Sequence, residues 1–158
     1  MPVGRFGCAA ALLVVLSGCG VAPATDDTYP TARVSVGMHV VEAEVADTPA
    51  RKTRGLSGRT RLAEGQGLLF PYAYEDLHGF WMFDMHFDID IVWIRGDRIV
   101  DVTHGAVHDP PGELPIYRPS EPADLVLEVP AGTAARLGWR PGDPVRVEPP
   151  IPGEWKAS

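Results

Sequence analysis

The sequence predicts a mainly β fold, a compact sandwich or open barrel of about seven to eight short strands with two short helices. One observation is composition: 17 glycines and 16 prolines among 158 residues place turns throughout the chain and argue against a helical bundle. Another is the alternation of apolar and polar residues in several short segments, which is typical of half-buried strands. The length of 158 residues suits one domain.

The strands are predicted from alternating or continuous apolar runs, each bounded by turn residues. In chain order, these segments are 34–38, 41–45, 67–70, 80–83, 87–94, 99–102, 124–129 and 144–147. Gly37 predicts a turn or bulge between the first two, and the sequence RGDR over 95–98 predicts a hairpin turn. Residues 103–122 form a long Pro-rich connection, and a connection of this length is often functional.

Two short helices are predicted from their capping residues. Thr48 and Pro49 predict the start of the first helix, because Thr caps helices and Pro suits the first helical position; Gly55 predicts its end. Its basic residues predict a solvated charged face: Arg51, Lys52 and Arg54. The second helix is expected over 132–137, before Gly138.

Residues 1–18 resemble a secretory signal peptide. Arg5 is the only charge, and the apolar run over 9–16 is shorter than the roughly 20 residues of a permanent membrane helix. The sequence LSGC over 16–19 resembles the lipobox of bacterial lipoproteins, which implies cleavage before Cys19 and diacylglycerol on its thiol. The alternative is a plain signal peptide followed by an incidental cysteine.

The lipoprotein interpretation predicts the organisation and location of the chain. A flexible tether is expected over 19–32, a single β-rich domain over 33–148 and a Pro-rich tail over 149–158. The protein is expected to be exported and anchored to the outer face of a bacterial membrane through the lipid on Cys19, with palmitate among its acyl groups. Cys8 lies in the signal, so the mature domain is expected to lack a free thiol and a disulfide.

Charge excludes one class of partner. The formal net charge is −7, with 14 basic and 21 acidic residues and no basic run. Nucleic acid is therefore not an expected partner, because phosphate contacts need clustered Lys and Arg.

Three ordered stretches of the chain carry a resemblance to a known family. They are 45–49 with 54–56 and 67–70, then 80–82 with 89–94, and then 127–129 with 131–132, 138 and 141–143. Together they resemble the uncharacterised bacterial and archaeal family called domain of unknown function 192, over most of 33–147. The resemblance implies a compact, mainly β sandwich and no established activity. The family usually has Lys where this chain has Phe83, and often Pro where it has Asp88.

Three carboxylates near one predicted strand form the first candidate site. Asp84, Asp88 and Asp90 lie within seven residues, and the last two share a strand face. They suit a divalent cation such as calcium, or separate acid and base roles in an enzyme. Against this, a calcium cage needs about 6–8 oxygen ligands. The alternative is that Asp88 is solvated and that Asp90 accepts hydrogen bonds from buried backbone donors.

Soft ligands form a second candidate site. Met82, Met85 and His86 make a Met-x-x-Met-His string, and thioether and imidazole ligands suit copper. The alternative is that both methionines fill the core. His104 and His108 have the i, i+4 spacing of a zinc pair, but Gly and Pro around them predict a loop that senses pH or contacts a ligand.

Aromatic side chains suggest a binding cleft. Trp81, Asp90 and Tyr117 are predicted to line it, because aromatic faces stack on sugars or flat ligands and a carboxylate beside aromatic rings usually has a specific partner. No nucleophile elbow, phosphate-binding loop or dinucleotide motif occurs in the sequence. No cofactor is therefore identified, although a divalent cation or copper fits the two clusters above.

The sequence therefore predicts a lipid-anchored extracytoplasmic protein that binds a small ligand or serves as an envelope-associated accessory module. Two alternatives stay open. One is a divalent-metal or carboxylate-dependent enzyme around Asp84, Asp88 and Asp90, and the other is a copper-binding envelope protein.

Overall fold

The computed structural model describes residue 1, residues 28–109 and residues 112–149. Within these residues, one seven-stranded sheet is accompanied by two short helices. The elements are β1 Thr31–Val36, β2 His39–Val45, α1 Pro49–Arg54, β3 Gln66–Asp76, β4 Ile89–Arg95, β5 Arg98–Ala106, β6 Ala123–Pro130, α2 Thr133–Leu137 and β7 Val145–Glu148. The sheet curls into a half-barrel, so the predicted mainly β fold is confirmed in its open-barrel form.

The sheet order is β5-β4-β6-β3-β2-β1-β7. Every neighbouring pair is antiparallel except β2 with β3, which run parallel around α1. The two edge strands approach each other at one corner, where Arg98 and Pro144 form an isolated bridge. There the Val145 N–H donates to the Asp97 carbonyl at 2.7 Å. The corner contact explains why a single sheet encloses a core.

The curled sheet buries apolar side chains on both faces. The face covered by α2, called the α2 face, includes Val92, Leu127 and Trp139. The opposite face, called the α1 face, is covered by the segments that flank α1 and precede β4; it includes Leu56, Phe70 and Trp93. Because β4 and β6 lie in the middle of the sheet, both faces of these strands are buried.

Both predicted helices are confirmed, together with their caps. The Thr48 hydroxyl accepts the Arg51 N–H at 3.2 Å, and Pro49 opens α1. Gly55, at φ 52°, ends α1, and Gly138 ends α2 in the left-handed region. None of the described helices has the length and apolar character needed to cross a membrane.

Several strand limits differ from prediction. The segment 80–83, predicted as a strand, pairs only at Phe80, which bridges to Tyr117. The strand predicted over 99–102 extends to Ala106, because Gly105 adopts φ 60° and the bulged pairing with β4 continues past it. Residues 103–106 therefore belong to β5 and not to the connection predicted over 103–122.

The strand predicted over 67–70 continues as β3 to Asp76, with a register shift after Pro71, which has no N–H for the ladder. At the amino end, β1 begins at Thr31, within the segment predicted as tether. Residues 2–18 of the predicted signal, Cys19 and residues 150–158 of the predicted tail lie outside the described residues.

Candidate functional site

Asp90 is completely buried, and backbone N–H groups occupy both of its carboxylate oxygens. Oδ1 accepts from Gly105 N at 2.8 Å, and Oδ2 accepts from Ala134 N at 2.9 Å. Because Gly132 at the N-cap of α2 has no side chain to offer, Asp90 satisfies one of the donors at the start of that helix. This arrangement matches the alternative in which Asp90 accepts hydrogen bonds from buried backbone donors.

The segments that carry Trp81 and Tyr117 are held together by backbone hydrogen bonds between Phe80 and Tyr117. Phe80 N–H donates to the Tyr117 carbonyl at 2.9 Å, and Tyr117 N–H donates to the Phe80 carbonyl at 2.8 Å. The Tyr117 hydroxyl accepts the Val107 N–H at 3.2 Å, whereas the Trp81 side chain is 59% exposed. Trp81 lines a cavity described below, and Asp90 and Tyr117 are not among its lining residues.

The candidate metal ligands lie in three different environments. Asp88 Oδ1 accepts the backbone N–H of His108 at 2.8 Å and lies 2.6 Å from His108 Nδ1; both contacts hold the pKa of the Asp88 carboxyl below its usual range. Asp84 and His86 are exposed, with 4.0 Å between Oδ1 and Nε2. Met85 packs into the α1 face. In the described residues, no group of three or more His, Cys, Asp or Glu residues is placed to hold a metal ion.

A cavity of about 300 Å³ opens on the α1 face, between α1, β3, β6 and the segment before β4. We call it the Glu128 cavity, after the acidic residue that lines it. Its lining residues are Lys52, Thr53, Arg54, Gly55, Leu56, Ser57, Phe70, Tyr72, Gly79, Phe80, Trp81, Met85 and Glu128. Apolar and aromatic side chains make up one part of this set, and side chains with hydrogen-bond donors make up another.

Glu128 is the unusual group of the cavity. It stands on β6 between Leu127 and Val129, whose side chains turn to the α2 face, so its own side chain belongs to the α1 face. The residue is 6% exposed, and Oε2 has no hydrogen-bond partner among the described residues. Burial raises the pKa of Glu128 to about 8, and the positive charge of Arg59 opposes this shift only in part.

At neutral pH, most Glu128 side chains are therefore protonated and neutral. A protonated carboxyl group has an O–H to donate. The cavity thus contains a buried donor and acceptor whose hydrogen-bonding capacity the described protein does not fully use.

Lys52 places a cation beside the same cavity. Its ammonium donates to the Pro71 carbonyl and lies 4.4 Å from the centroid of the Tyr72 ring. Burial lowers the pKa of Lys52, against the raising effect of Asp47. Lys52 and its neighbour Arg51, which lies 4.9 Å from the Tyr29 ring centroid, thus pack on aromatic rings. Both residues are half-buried, so the predicted solvated face holds only in part for them.

Tyr72 links the cavity to a stacked histidine. Burial, with the nearby charge of Glu128, raises the pKa of Tyr72 to about 12, so the phenol keeps its proton. The rings of Tyr72 and His78 stack with centroids 3.6 Å apart. Burial lowers the pKa of His78, and the positive charge of Lys52 acts in the same direction.

Aromatic rings form the wall opposite these polar groups. Phe80 contacts Phe70 and Trp93 edge-to-face, with centroid distances of 4.9 and 5.4 Å. Trp93 is fixed in turn by its Nε1, which donates to Thr103 Oγ1 at 3.0 Å. The wall is therefore held by packing before any ligand arrives, and Trp81 at the mouth presents an exposed ring.

Of the residues that line this cavity, the sequence singled out Trp81 and Met85 as candidates, and Glu128 was missed. The signal in the sequence was an acidic residue inside the strand LVLEV, whose other positions are all apolar. In a strand buried on both faces, such a residue cannot reach solvent. Recognising it required knowing that β6 lies in the middle of the sheet, which alternation alone does not reveal.

The chain belongs to the DUF192 family, described as "Uncharacterized ACR", whose family model matches residues 32–147. This match confirms the family resemblance drawn from the ordered motifs. No curated protein is significantly similar to the chain in sequence.

The fold recurs in solved structures of other proteins. A protein from Sinorhizobium meliloti 1021, provisionally described as a transcription regulator, is 28% identical with a TM-score of 0.68; the match covers 76% of this chain and 95% of that one. A protein of unknown function from Novosphingobium aromaticivorans DSM 12444 is 29% identical with a TM-score of 0.66; the match covers 80% of this chain and 90% of that one. These neighbours establish similarity of fold and sequence and assign no activity to this chain.

Proposed function

We propose that this domain binds a small organic ligand in the Glu128 cavity. The observation that supports it most directly is the buried Glu128 carboxyl, whose Oε2 lacks a hydrogen-bond partner among the described residues. An unpaired buried polar atom costs about 1–3 kcal/mol of folding free energy. A ligand that donates to or accepts from this group offsets that cost, and the bound state is stabilised accordingly.

The surroundings of Glu128 support binding over a purely structural role. Shifted pKa values cluster there, in Lys52, Tyr72, His78 and Glu128, and such clusters are typical of functional sites. The cavity also combines an apolar wall with a few converging polar groups, which is the usual composition of small-ligand sites.

A ligand screen tests this function. The purified protein is mixed with a library of small organic molecules, and the thermal midpoint of unfolding is recorded for the wild type, Trp81→Ala and Tyr74→Ala. Tyr74 is 64% exposed and does not line the cavity, so it is the matched control for loss of an exposed aromatic ring. We expect compounds that stabilise the wild type and Tyr74→Ala but stabilise Trp81→Ala much less. If every stabilising compound acts equally on all three proteins, the cavity is not the binding site.

We propose, in addition, that the module is exported and held at a membrane by lipid on Cys19. The support is the signal-like segment and the lipobox-like LSGC over 16–19. In a bacterial host, the wild-type protein should incorporate labelled palmitate and sediment with membranes, and Cys19→Ala should do neither. Equal membrane partitioning of both proteins would refute the anchor.

Nucleic acid is excluded from the proposed partners, despite the description of the Sinorhizobium meliloti neighbour. The support is the net charge of −7 together with the absence of a basic run. A gel-shift assay with random duplex DNA at low salt should show no complex. Complex formation that weakens steeply with added salt would contradict this part of the proposal.

A further inference from the structure

We propose that the Glu128 cavity is one end of a longer site for neutral oligosaccharides, whose sugar rings stack on Trp81 and whose hydroxyl groups pair with Glu128. This inference rests on the proposed ligand-binding function and adds the chemical class of the ligand. The class follows from an ordered aromatic surface, a buried group that suits hydroxyls, and a second groove that shares Trp81 with the cavity.

Trp81 and Phe83 form an exposed aromatic pair beside the mouth of the cavity. Both residues are more than half exposed, and their ring centroids lie 5.7 Å apart with 32° between the ring planes. Because the rings are open to solvent and do not face each other, they offer a surface and do not enclose a flat ligand from both sides. The apolar C–H face of a sugar ring packs on such an aromatic surface.

The segment that carries this pair is held from both sides before any ligand binds. The Ser57 hydroxyl donates to the Phe83 carbonyl at 2.8 Å. The Gly58 N–H donates to the carbonyl of Asp84 at 2.8 Å, and Asp84 adopts φ 53°, a strained conformation of the kind that is common at ligand sites. On the other side, Phe80 forms the isolated bridge described above. An ordered segment loses little conformational entropy on binding.

Glu128 supplies a hydrogen-bonding group that suits a sugar hydroxyl in either protonation state. The residue lines the cavity, and its Oε2 has no hydrogen-bond partner among the described residues. A charged carboxylate only accepts hydrogen bonds, whereas a protonated carboxyl also donates one. Since a hydroxyl both donates and accepts, it pairs with Glu128 in both forms, and the class of ligand does not depend on the pKa of this residue.

The cations near the cavity have partners within the protein. Lys52 donates to a backbone carbonyl of β3; burial lowers its pKa, and the nearby charge of Asp47 opposes this shift. Arg59 forms an ion pair with Glu44, and Arg54 also has an interaction partner. These cations therefore do not require an anionic ligand, and a neutral ligand avoids the cost of desolvating a charge.

A second groove of about 210 Å³ adjoins the Glu128 cavity, and residues 79–81 line both. We call it the Ile116 groove; its other lining residues are Ile116 and Arg118. The Arg118 guanidinium has five N–H donors, of which the Leu77 carbonyl accepts one at 2.7 Å. Both spaces are small for a ligand pocket, so two compact sugar units linked across residues 79–81 fit them better than one large rigid ligand.

The experiment uses neutral disaccharides as probes: cellobiose, laminaribiose, maltose, mannobiose and diacetylchitobiose. Their single units are glucose, mannose and N-acetylglucosamine, and indole is the flat neutral match without hydroxyls. Affinity is measured by isothermal titration calorimetry, and the NMR signal of the Trp81 indole N–H locates the site, with Trp139 on the α2 face as the internal reference. We expect at least one disaccharide to shift Trp81 in a saturable way and to bind at least about tenfold more tightly than its single unit, a factor that corresponds to about 1.4 kcal/mol.

Substitutions of Trp81 test the stacking contact. Trp81→Ala should weaken the binding of that disaccharide at least about tenfold, and Trp81→Phe, which keeps an aromatic face, should weaken it less. Tyr74→Ala is the matched control, because it removes an exposed ring that lines neither the cavity nor the groove. Equal affinities in Trp81→Ala and Tyr74→Ala would overturn the inference.

Substitutions of Glu128 test the hydroxyl contact. Glu128→Gln keeps a donor and an acceptor and should bind the disaccharide within about threefold of the wild type. Glu128→Leu has neither and should bind it at least about tenfold more weakly. The Leu variant should still fold, because it removes a buried polar atom that has no partner among the described residues. Equal affinities in the Leu and Gln variants would contradict the pairing of Glu128 with a hydroxyl.

A substitution in the Ile116 groove tests the length of the site. Ile116→Ala should weaken the disaccharide at least about threefold and leave the single sugar unit unchanged, because only the longer ligand reaches this groove. Met38→Ala is the control, since it shortens an exposed apolar side chain that does not line the groove. A disaccharide affinity unchanged in Ile116→Ala would contradict the longer site.

The outcomes also separate this inference from the proposed function. If indole binds at Trp81 more tightly than every saccharide, the sugar class is wrong while ligand binding in the cavity stands. The same conclusion follows if no saccharide shifts Trp81 but the library screen yields compounds that depend on Trp81. If neither experiment gives binding that depends on Trp81, the proposed function fails as well.

Discussion

The carboxylate of Asp90 accepts the backbone N–H of Ala134 at 2.9 Å, and so attaches the first turn of α2 to the centre of the sheet. Its second oxygen accepts the Gly105 N–H at 2.8 Å, at the bulged part of β5. One buried side chain thus satisfies donors on two elements that are distant from it in sequence. Through these two hydrogen bonds, Asp90 stabilises the fold.

Replacing Asp90 should therefore destabilise the protein strongly. Asp90→Ala leaves two buried N–H groups without an acceptor, and we expect the free energy of unfolding in urea to fall by about 3 kcal/mol. Glu121→Ala is the control, because it removes an exposed ion pair with Arg95 and should cost less than about 1 kcal/mol. Similar losses for both variants would show that the Asp90 hydrogen bonds contribute little.

Removing the helix cap at Thr48 should destabilise the protein less than replacing Asp90 does, and the loss should depend on the hydroxyl group. Thr48→Ala removes the acceptor of the Arg51 N–H, and we expect a loss of about 1 kcal/mol in the free energy of unfolding. Thr48→Ser retains the hydroxyl and should stay close to the wild type. Because α1 presents Lys52 to the Glu128 cavity, an Ala variant as stable as the wild type would contradict this account of how α1 is positioned.

Glu128 should make the folded protein less stable as pH rises. Its folded-state pKa of about 8 lies above the ordinary value of 4.5, so the folded state holds this proton more tightly than the unfolded state. The contribution is complete below about pH 4.5 and is lost as pH rises towards 8, with a limiting slope of about 1.4 kcal/mol per pH unit. Urea unfolding across this range should show the slope in the wild type and its absence in Glu128→Gln. Parallel curves for the two proteins would be inconsistent with a protonated Glu128.

Asp88 should make the folded protein more stable as pH rises through the acidic range. His108 lowers the pKa of the Asp88 carboxyl, so this group contributes stability above its ordinary value of 3.8 and the contribution is lost as pH falls through the lowered pKa. At pH 7 we expect Asp88→Asn to cost less than about 1 kcal/mol, because the pair is about 40% exposed and screened by solvent. The difference from the wild type should vanish in strong acid. Asp84→Asn, an exposed carboxylate 4.0 Å from His86, is the control and should cost less at pH 7.

The residues that determine the two helices lie close together in the sequence. The capping residues Thr48, Gly55 and Gly138 fix both helices, because cap chemistry depends on a few neighbouring residues. Apolar alternation located most strands for the same reason. It failed at 80–83, where Phe80 and Met82 are buried on the α1 face. Trp81 and Phe83 are exposed, and in this segment only Phe80 forms a bridge.

The candidate site depended on information that is not local. Glu128 becomes unusual only because β3 and β4 lie on either side of β6 and bury it. Lys52 becomes part of a cavity only because the Tyr72 ring lies beneath it. Asp88 lies just before β4 and pairs with His108, whereas Asp90 lies within β4 and accepts the Ala134 N–H.

A direct titration of Glu128 tests the central claim, a neutral carboxyl group held in a ligand-binding cavity. The chemical shift of its side-chain carboxyl carbon is followed by NMR as pH is varied, and Glu128→Gln identifies the signal. The account predicts a midpoint at about pH 8. A midpoint near the ordinary value of 4.5 would contradict it, because Glu128 would then be charged at neutral pH.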